Sequence, residues 1–577
     1  MENFEYIVTH CLGGSKTSLH WLYNTSSWTD PEKEVPRTFY FHNYTFWFTG
    51  TGFRNTEKLI MHIGIPDEVL DHAPEKSYPE KVASENFILH IMYPRITELL
   101  EEIVNDKKDV REKANFSIQT PDTCMDRKSG CVYDHEKRYF EVRINLSAPL
   151  KNAVSLNTKK FCRAVLGLLR CFYETTSNLD KEELAFWKKT CMNQRDMRRF
   201  MQEKGLCAFV ADGSILPRQN GTEEPMKDAL PFESPETLRV SIQTSSGDVI
   251  TGMGIKKGIT VITGGGYSGK TTILDAIEQG IYDHIPGDGR EYVLADPTTL
   301  KTNAEDGRPV ENVDLSPFFR WLKSDSPLKN FSTLHASGSV SQASNIVEAV
   351  CGNVKLLLID EDKSATNFMM RDETMRKIVP DEPIIPFTDR ICELKNRCDT
   401  SVILVIGGSG EYLAYSDTVI LMKDFKPFDI SDSVRKFGVK RKSEQEEADW
   451  MNSRRIVPKT TSQPFLYFRS VVTENEKKII LDDYSADVTC LTALTTGDRM
   501  NTAMKVMEKL LTDKEGDDDE LLNKLAVYTD QVLGNSEHAT GFNVSGSTQL
   551  FYAQIRPIDA WCCLNRSRGV HMKRGLI

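Results

Sequence analysis

No run of apolar residues in this chain approaches the length of a membrane span, which excludes a transporter subunit carrying its own channel. There is no C-x-x-C pair either. The 13 cysteines are scattered and odd in number; Cys124 and Cys131 stand too far apart for a zinc knuckle, and Cys562 and Cys563 are adjacent. That pattern excludes a disulfide scaffold and fits reduced thiols packed as small hydrophobes. Positive charge is not in excess: the net charge is −11, which argues against a protein coated in nucleic acid but leaves room for a local basic channel. Met1-Glu2-Asn3-Phe4-Glu5 opens neither a signal peptide nor an Arg-rich transit peptide, so the expectation is a cytoplasmic chain, with nuclear or organellar import by other routes open. Without a secretory route, triplets such as Asn43-Tyr44-Thr45 read as chance. Internal repeats and low-complexity tracts are absent.

What is present is ordinary globular composition, 40% hydrophobic and 27% charged, over 577 residues, enough for two to four domains. One stretch organises the rest: Gly264-Gly265-Gly266-Tyr267-Ser268-Gly269-Lys270-Thr271-Thr272, a full G-x-x-x-x-G-K-[ST] match. The β-branched run from Ile259 to Thr263 leads into it as a buried strand. Ile273, Leu274, Ile277 and Ile281 follow at helical spacing. Strand, glycine loop and helix together turn backbone N–H groups onto phosphate oxygens. Lys270 would reach the terminal phosphates and the Thr271 hydroxyl would ligate Mg²⁺. The bland alternative is a glycine-rich turn containing Lys-Thr by chance; the flanking strand and helix argue against it.

Before this loop, the first 60 residues are aromatic-rich, with Trp21, Tyr23 and Trp28, then Phe39-Tyr40-Phe41 and Tyr44-Thr45-Phe46-Trp47-Phe48. The second cluster reads as a hairpin turning near Asn43, its rings core rather than a base-stacking platform. A strand is expected at 58–65 and a helix at 87–104. A polar turn region spans 122–130, and a strand with one buried face 139–146. Helices are expected at 158–174 and 181–204. Arg195, Arg198 and Arg199 on the last helix read as a solvated basic face, or, more sharply, as a phosphate-backbone contact. Residues 205–235 read as a long structured loop, and 238–253 as a hairpin turning at Ser246-Gly247-Asp248. Further strands are expected at 292–296, 356–359, 402–406 and 419–422, with mostly loop over 297–335 and a helix at 341–350. Short apolar strands alternating with helices predict a mostly parallel sheet covered on both faces. From 431 to 461 the chain is polar, with Lys440-Arg441-Lys442 before Glu444, Glu446 and Glu447. After it come strand and helix signals over 477–511, an acidic run from Glu515 to Glu520, and a basic end at Arg556, Arg566, Arg568, Lys573 and Arg574.

A second nucleotide signature is Leu356-Leu357-Leu358-Ile359-Asp360-Glu361, where an apolar strand delivers two carboxylates to its end. Asp360 would hold Mg²⁺, directly or through water, and Glu361 would polarise an attacking water. Ser337-Gly338-Ser339-Val340-Ser341-Gln342 opens a helix whose free N-terminus is a second anion site, and Ser364-Ala365-Thr366-Asn367 follows downstream. His335, just before the signature, reads as a hydrogen-bonded loop histidine.

In this order, these elements resemble an ABC-class ATPase domain. More closely, the chain resembles the predicted soluble ABC-class ATPases that have no membrane domain, a family with RNA-associated members, among them kinetoplastid mitochondrial RNA-binding-complex ATPases. The stretches that carry the likeness are Phe209-Val210-Ala211-Asp212-Gly213-Ser214-Ile215-Leu216-Pro217-Arg218, His284-Ile285-Pro286-Gly287-Asp288-Gly289-Arg290, Ile359 to Met369, and Ile406-Gly407-Gly408-Ser409-Gly410. The likeness is firm over about 205–430, followable over 85–204 and 465–570, and not evident in the first 60 residues. It implies an α/β fold: a P-loop ABC-type core, mostly parallel sheet plus an antiparallel hairpin, over 205–430. An α+β N-terminal domain (1–204), a polar linker (431–464) and a small α/β C-terminal domain (465–577) would flank it. Two departures stand out. Asp362 replaces the usual proline after Asp-Glu, and Gly407-Gly408-Ser409 stands where a histidine should contact the γ-phosphate. No clear metal-sensing Gln follows the second strand; Asp314 and Ser316 are the candidates there.

The resemblance implies ATP and Mg²⁺ as ligands. Gly264 to Thr272 would cradle the phosphates, with Ser337, Gly338 and Ser339 contacting the nucleotide from another chain. Lys270 and Glu361 would be catalytic, and Thr271 and Asp360 would be the metal ligands. A single loop and a single signature per chain call for a homodimer. Three functions compete: an ATP hydrolase, slow for want of the histidine; an ATP-gated clamp, with RNA as one possible cargo; and a GTPase or small-molecule kinase. The third is weakest, because no Asn-Lys-x-Asp segment is present to read guanine.

Overall fold

The computed structural model describes residues 37–50, 58–70, 78–104, 115–151, 155–220, 222–322, 327–437, 477–512, 518–534 and 551–570, with isolated positions and short strands elsewhere. Trp21, Tyr23, Trp28, the Lys440–Lys442 cluster with the glutamates after it, and residues 515–517 of the acidic run lie outside the described residues. The chain forms two compact units. Unit 1 comprises Met1–Cys191 and Leu533–Gln554; unit 2 comprises Met192–Val532 and Ile555–Ile577.

Unit 1 is built on an antiparallel sheet. β1 (Phe39–Phe41) and β2 (Tyr44–Gly50) form the expected hairpin, with Phe39 opposite Phe46. Phe39, Phe41, Phe46 and Phe48 are buried, so these rings are core. β3 (Lys58–Pro66) follows, and the helix α1 (Tyr78–Val104) starts nine residues before the apolar spacing begins at Phe87. Its first turns carry Ser84, Glu85 and Asn86, polar side chains that are buried and so break the apolar rhythm. β4 (Asn115–Ile118) and β5 (Cys131–Asp134) both pair with β6 (Tyr139–Ser147), giving the order β1-β2-β3-β6-β4. β6 does not have only one buried face. Glu141 and Arg143 are buried opposite the apolar face because they are paired: Arg143 Nε donates to Glu141 Oε1 at 2.6 Å, and His62 Nδ1 on β3 lies 2.9 Å from the same oxygen. α2 (Thr158–Ser177) is capped by Asn157, and α3 (Lys181–Lys204) carries the boundary between the two units.

Unit 2 holds several sheets, and two of them contain the strands that flank the phosphate loop in sequence. One is antiparallel, in the order β11-β7-β9-β8, from β7 (Leu206–Ala211), β8 (Arg239–Gln243), β9 (Val249–Lys256) and β11 (Val293–Ala295). The other has the order β12-β15-β16-β10-β17-β18. Its strands are β10 (Ile259–Gly264), β12 (Leu300–Thr302), β15 (Leu356–Asp360), β16 (Ser401–Val405), β17 (Thr418–Lys423) and β18 (Lys426–Asp429). All pairings in it are parallel except β17 with β18. β15 and β16 are buried at every position, as a parallel sheet covered on both faces requires. The helices α4 (Lys270–Gln279), α5 (Gly338–Cys351) and α6 (Ile391–Arg397) alternate with these strands, and β13 (Val310–Val313) pairs with β14 (Phe331–Thr333) aside from them.

Several expectations are corrected. The strand at 292–296 joins the antiparallel sheet, against β7. Its place at the edge of the parallel sheet is taken by β12, within 297–335, whose Leu-Lys-Thr offers no apolar run to read. The loop expected over 205–235 begins with β7, buried along its whole length.

Residues 465–577 do not fold apart. Their helix α7 (Gly497–Thr512) sets Arg499 over the Tyr282 ring at 4.3 Å, and Trp561 of α8 (Pro557–Asn565) donates to Glu348 O. Residues 533–554 belong instead to unit 1, where Tyr552 O accepts from Ser129 N at 2.9 Å. The N-terminal unit likewise ends within α3, not at 204.

The basic clusters are largely committed internally. Arg198 pairs with Asp283 at 2.8 Å and donates to the carbonyls of Gly280, Tyr282 and Ala295, where its charge suits the C-terminal end of α4. Arg556 pairs with Asp559, Arg566 with Glu305, and Arg568 donates to Leu334 and Gly307 carbonyls.

Burial in unit 1 pushes the Glu85 carboxyl up to about 7, against the pull of Lys81 and of Tyr133 N, which donates to it at 2.8 Å. A raised folded value means that this group's stabilisation is complete below the unfolded value near 4.5 and is lost as pH rises through about 7. Glu85→Gln, neutral throughout, should match wild type at pH 5 and exceed it at pH 8 by on the order of 3 kcal/mol in denaturant unfolding of unit 1. Equal stability at pH 8 would show that Glu85 is not held neutral.

Candidate nucleotide site

The parallel sheet collects the chemistry at one edge. The loops leaving β10, β15, β16 and β17 all emerge from the carboxyl ends of parallel strands, the place where open α/β sheets bind ligands.

The phosphate loop runs from the end of β10 to the start of α4. Gly264 has φ +149, and a Cβ there would fall 2.3 Å from Met422 O, so the strand ends where only glycine fits against β17. Gly269, φ +93, caps α4 in the left-handed region. Gly265 and Gly266 have open space around them, and Tyr267 is fully exposed with φ +57. Ser268 Oγ donates to Gly265 O at 2.8 Å. Lys270 Nζ donates to the carbonyls of Gly264 and Gly265, at 2.8 and 2.7 Å, so its ammonium lies along the loop. Thr271 and Thr272 sit in the first turn of α4, where the backbone N–H groups are unpaired within the helix.

Asp360 ends β15, 1% exposed, and its Oδ2 lies 3.3 Å from Thr271 Oγ1. A hydroxyl and a carboxylate facing each other beside a phosphate loop are the hard oxygens Mg²⁺ takes, with phosphate and water completing its shell. These residues fit the metal. Asp360 Oδ1 meanwhile accepts from Asp362 N at 3.1 Å, which fixes the carboxylate plane.

Glu361 has a partner that the sequence did not reveal. Its Oε2 accepts from Gly407 N at 2.6 Å and from Gly408 N at 3.4 Å. The strand order explains the contact, because β16 pairs with β15 and its following loop therefore starts beside the residue that follows β15. The Gly-Gly turn thus fills the position of the absent histidine with backbone donors. Ser409, the next residue of the turn, is 6% exposed, and its hydroxyl has no partner among the described residues. Asp314 accepts from Ser316 N at 2.9 Å, so the two metal-sensing candidates bond each other.

Ser337 is the N-cap residue of α5, exposed, with no side-chain capping bond; Gly338 and Ser339 form the first turn. A Cβ on Gly338 would lie 3.2 Å from Asp306 Oδ1 and 3.4 Å from Ala304 Cβ, so the small residue lets the turn pack closely. Gln342, fully buried, ties this helix to the Ser-Ala loop. Its Nε2 donates to Ser364 Oγ at 2.9 Å and its Oε1 accepts from Ala365 N at 2.8 Å. A buried charge network holds the other side. Arg308 pairs with Glu348 at 2.7 Å and Arg566 with Glu305 at 2.5 Å, with Asn345 between them. Burial alone would raise the Glu305 carboxyl, but Arg566, with Arg308 and Asn345 behind it, holds it below its ordinary range. Among the described residues, no hydrogen bond joins Ser337, Gly338 or Ser339 to residues 264–272 of the same chain. His335 is exposed, and its N donates to Thr333 Oγ1.

Part of the chain is similar to known proteins. The P-loop domain model of the ABC_ATPase family matches residues 180–458. An uncharacterized protein of Methanocaldococcus jannaschii is 33% identical over 252 residues, covering 41% of this chain and 55% of its own length. The chain thus spans about half the length of that curated relative. Among solved structures, the ADP conformation of an ATP-binding cassette of an ABC transporter is similar at 12% identity and a TM-score of 0.24, over 40% of this chain and 94% of its own. A second, CbiO1 from Clostridium perfringens, part of an ABC transporter complex, is similar at 14% identity and a TM-score of 0.25, over 40% and 92%.

Two of the loop's four glycines make opposite demands. Gly264→Ala should destabilise unit 2 by more than about 3 kcal/mol in thermal unfolding, since both backbone angle and space forbid the methyl. Gly266→Ala, with nothing within 4 Å, should change stability by less than about 1 kcal/mol. Equal effects would mean that the loop is not held against β17 as described. Residues 180–458 carry a P-loop domain of the ABC ATPase class.

Proposed function

We propose that the chain binds Mg-ATP on residues 264–272 and hydrolyses it slowly, in a site completed by a second copy of the chain. The observation that carries this is the approach of Thr271 to Asp360 beside a complete phosphate loop. Loop amides and the α4 N-terminus hold the phosphates, and Lys270 leaves the Gly264 and Gly265 carbonyls for the terminal phosphates. Thr271 and Asp360 are the residues that would hold Mg²⁺, which when bound would supply charge neutralisation for the phosphoryl oxygens. Glu361 takes the proton of the attacking water while the Gly407 and Gly408 amides fix its orientation.

The dimer follows from incompleteness. Loop amides wrap one side of the triphosphate and leave the γ-phosphate open. The exposed α5 N-terminus at Ser337–Ser339 offers the complementary donors, and nothing bonds it to the loop of its own chain. Two copies paired head to tail about a two-fold axis would complete two sites.

A second reading is an ATP-gated clamp with little turnover. It is favoured by Glu361 being engaged by backbone donors and by the lack of a histidine after β16. RNA as the cargo draws no support from Arg198, Arg556 or Arg566, which are committed within unit 2, so RNA enters only as an added component of the assay.

Phosphate release with and without RNA tests both readings. Lys270→Ala should lose ATP binding while remaining folded. Glu361→Gln should keep binding and lose turnover by on the order of a hundredfold or more. Lys270→Ala and Ser337→Arg chains should each be inactive alone and regain activity when mixed, because one of the two shared sites then has an intact loop and an intact signature. A Ser337→Arg chain that is fully active alone would remove the signature from the site. Wild-type binding without turnover would select the clamp.

A further inference from the structure

The strands β17 and β18 are joined by only two residues, Asp424 and Phe425, with φ of +50 and +62. Positive φ at both positions makes this a type I′ turn, which normally takes Asn-Gly or a similar pair because a side chain at the second position crowds the backbone. A phenylalanine there is strained, and burial does not offset the strain, since Phe425 is 61% exposed. The ring is nonetheless placed. A Cβ built on Gly269, the last glycine of the phosphate loop, would lie 3.4 Å from Phe425 Cδ1 and 3.6 Å from Met422 Cε. β17 runs parallel beside β10, with Gly264 opposite Met422, so the turn after β17 flanks the loop at the same edge of the sheet. An exposed aromatic in a glycine's backbone conformation, against the start of the helix that would hold the phosphates, is strain kept beside a functional loop.

We propose that Phe425 is the platform on which the base of the bound nucleotide stacks. The inference rests on the reading that residues 264–272 bind a nucleoside triphosphate, and it adds where the base lies. Stacking on a phenyl face tolerates any base, so the residue positions the nucleotide without selecting adenine over guanine. Tyr267, fully exposed within the loop itself, is the rival platform.

Calorimetric titration of the full chain with Mg-ATP and with Mg-tripolyphosphate, which has no base, separates the possibilities. Phe425→Gly suits the turn, so the variant should fold with an unchanged or higher melting temperature. Its ATP affinity should fall roughly 5- to 150-fold, the range for loss of one base–aromatic stack, while tripolyphosphate affinity stays unchanged. Phe425→Trp should retain ATP affinity, and Tyr267→Ala should not reproduce the loss. Unchanged ATP affinity in Phe425→Gly, or an equal loss for both ligands, overturns the stacking role. A wild-type chain that binds neither ligand overturns the nucleotide reading itself.

Discussion

The structure turns on one approach, that of the Thr271 hydroxyl to the Asp360 carboxylate, 3.3 Å apart. Neither residue is near the other in sequence, and their strands are not even neighbours. β16 separates β10 from β15, so a parallel sheet in register is what carries both residues to the same edge. In the same order the Gly407-Gly408 turn leaves β16, the neighbour of β15, and its amides reach Glu361. Four loops of one sheet edge thus bring together the glycine loop, the Thr271 hydroxyl with the Asp360 carboxylate, the Glu361 carboxylate held by backbone amides, and the exposed Phe425 ring. The sheet can hold them because its central strands β15 and β16 are buried at every position and largely apolar, with Asp360 delivered at the end of β15.

Away from that edge, the signature helix is anchored by charge. Arg308, Glu348, Arg566, Glu305 and Asn345 are buried together. Removing one member would strand a charge out of water, which costs more than the pair contributes in place. The last segment of the chain therefore belongs to unit 2: Arg566 reaches Glu305, Trp561 reaches Glu348, and Arg499 stacks on Tyr282. Gln342 then couples the helix to the Ser364-Ala365 loop just past Asp360. The helix is thereby tied to the chain four and five residues past Asp360, where β15 ends.

Sequence showed the site where its signals were contiguous. The glycine loop, the Leu-Leu-Leu-Ile-Asp-Glu strand and the Ser-Gly helix start each carry their meaning in consecutive residues, and the structure puts each on the element expected. It was silent where meaning depends on a distant partner. β12 has no apolar run because an edge strand of three residues needs none. Arg198, Arg556 and Arg566 read as surface charge because the carboxylates and carbonyls that take them up lie far along the chain. The Gly407 amides carry no side chain to notice, and Asp424-Phe425 gives no turn signal because it breaks the usual chemistry of its turn. The boundary between the units falls inside the continuous helix α3, where composition does not change.

The most direct test of the account is a crystal structure of the chain with Mg²⁺ and a non-hydrolysable ATP analogue. The account requires the triphosphate on the amides of residues 264–272 and the metal bound between Thr271 and Asp360. It also requires Ser337–Ser339 of a second copy against the γ-phosphate. Phosphates bound elsewhere, or a metal held without Asp360, would contradict it.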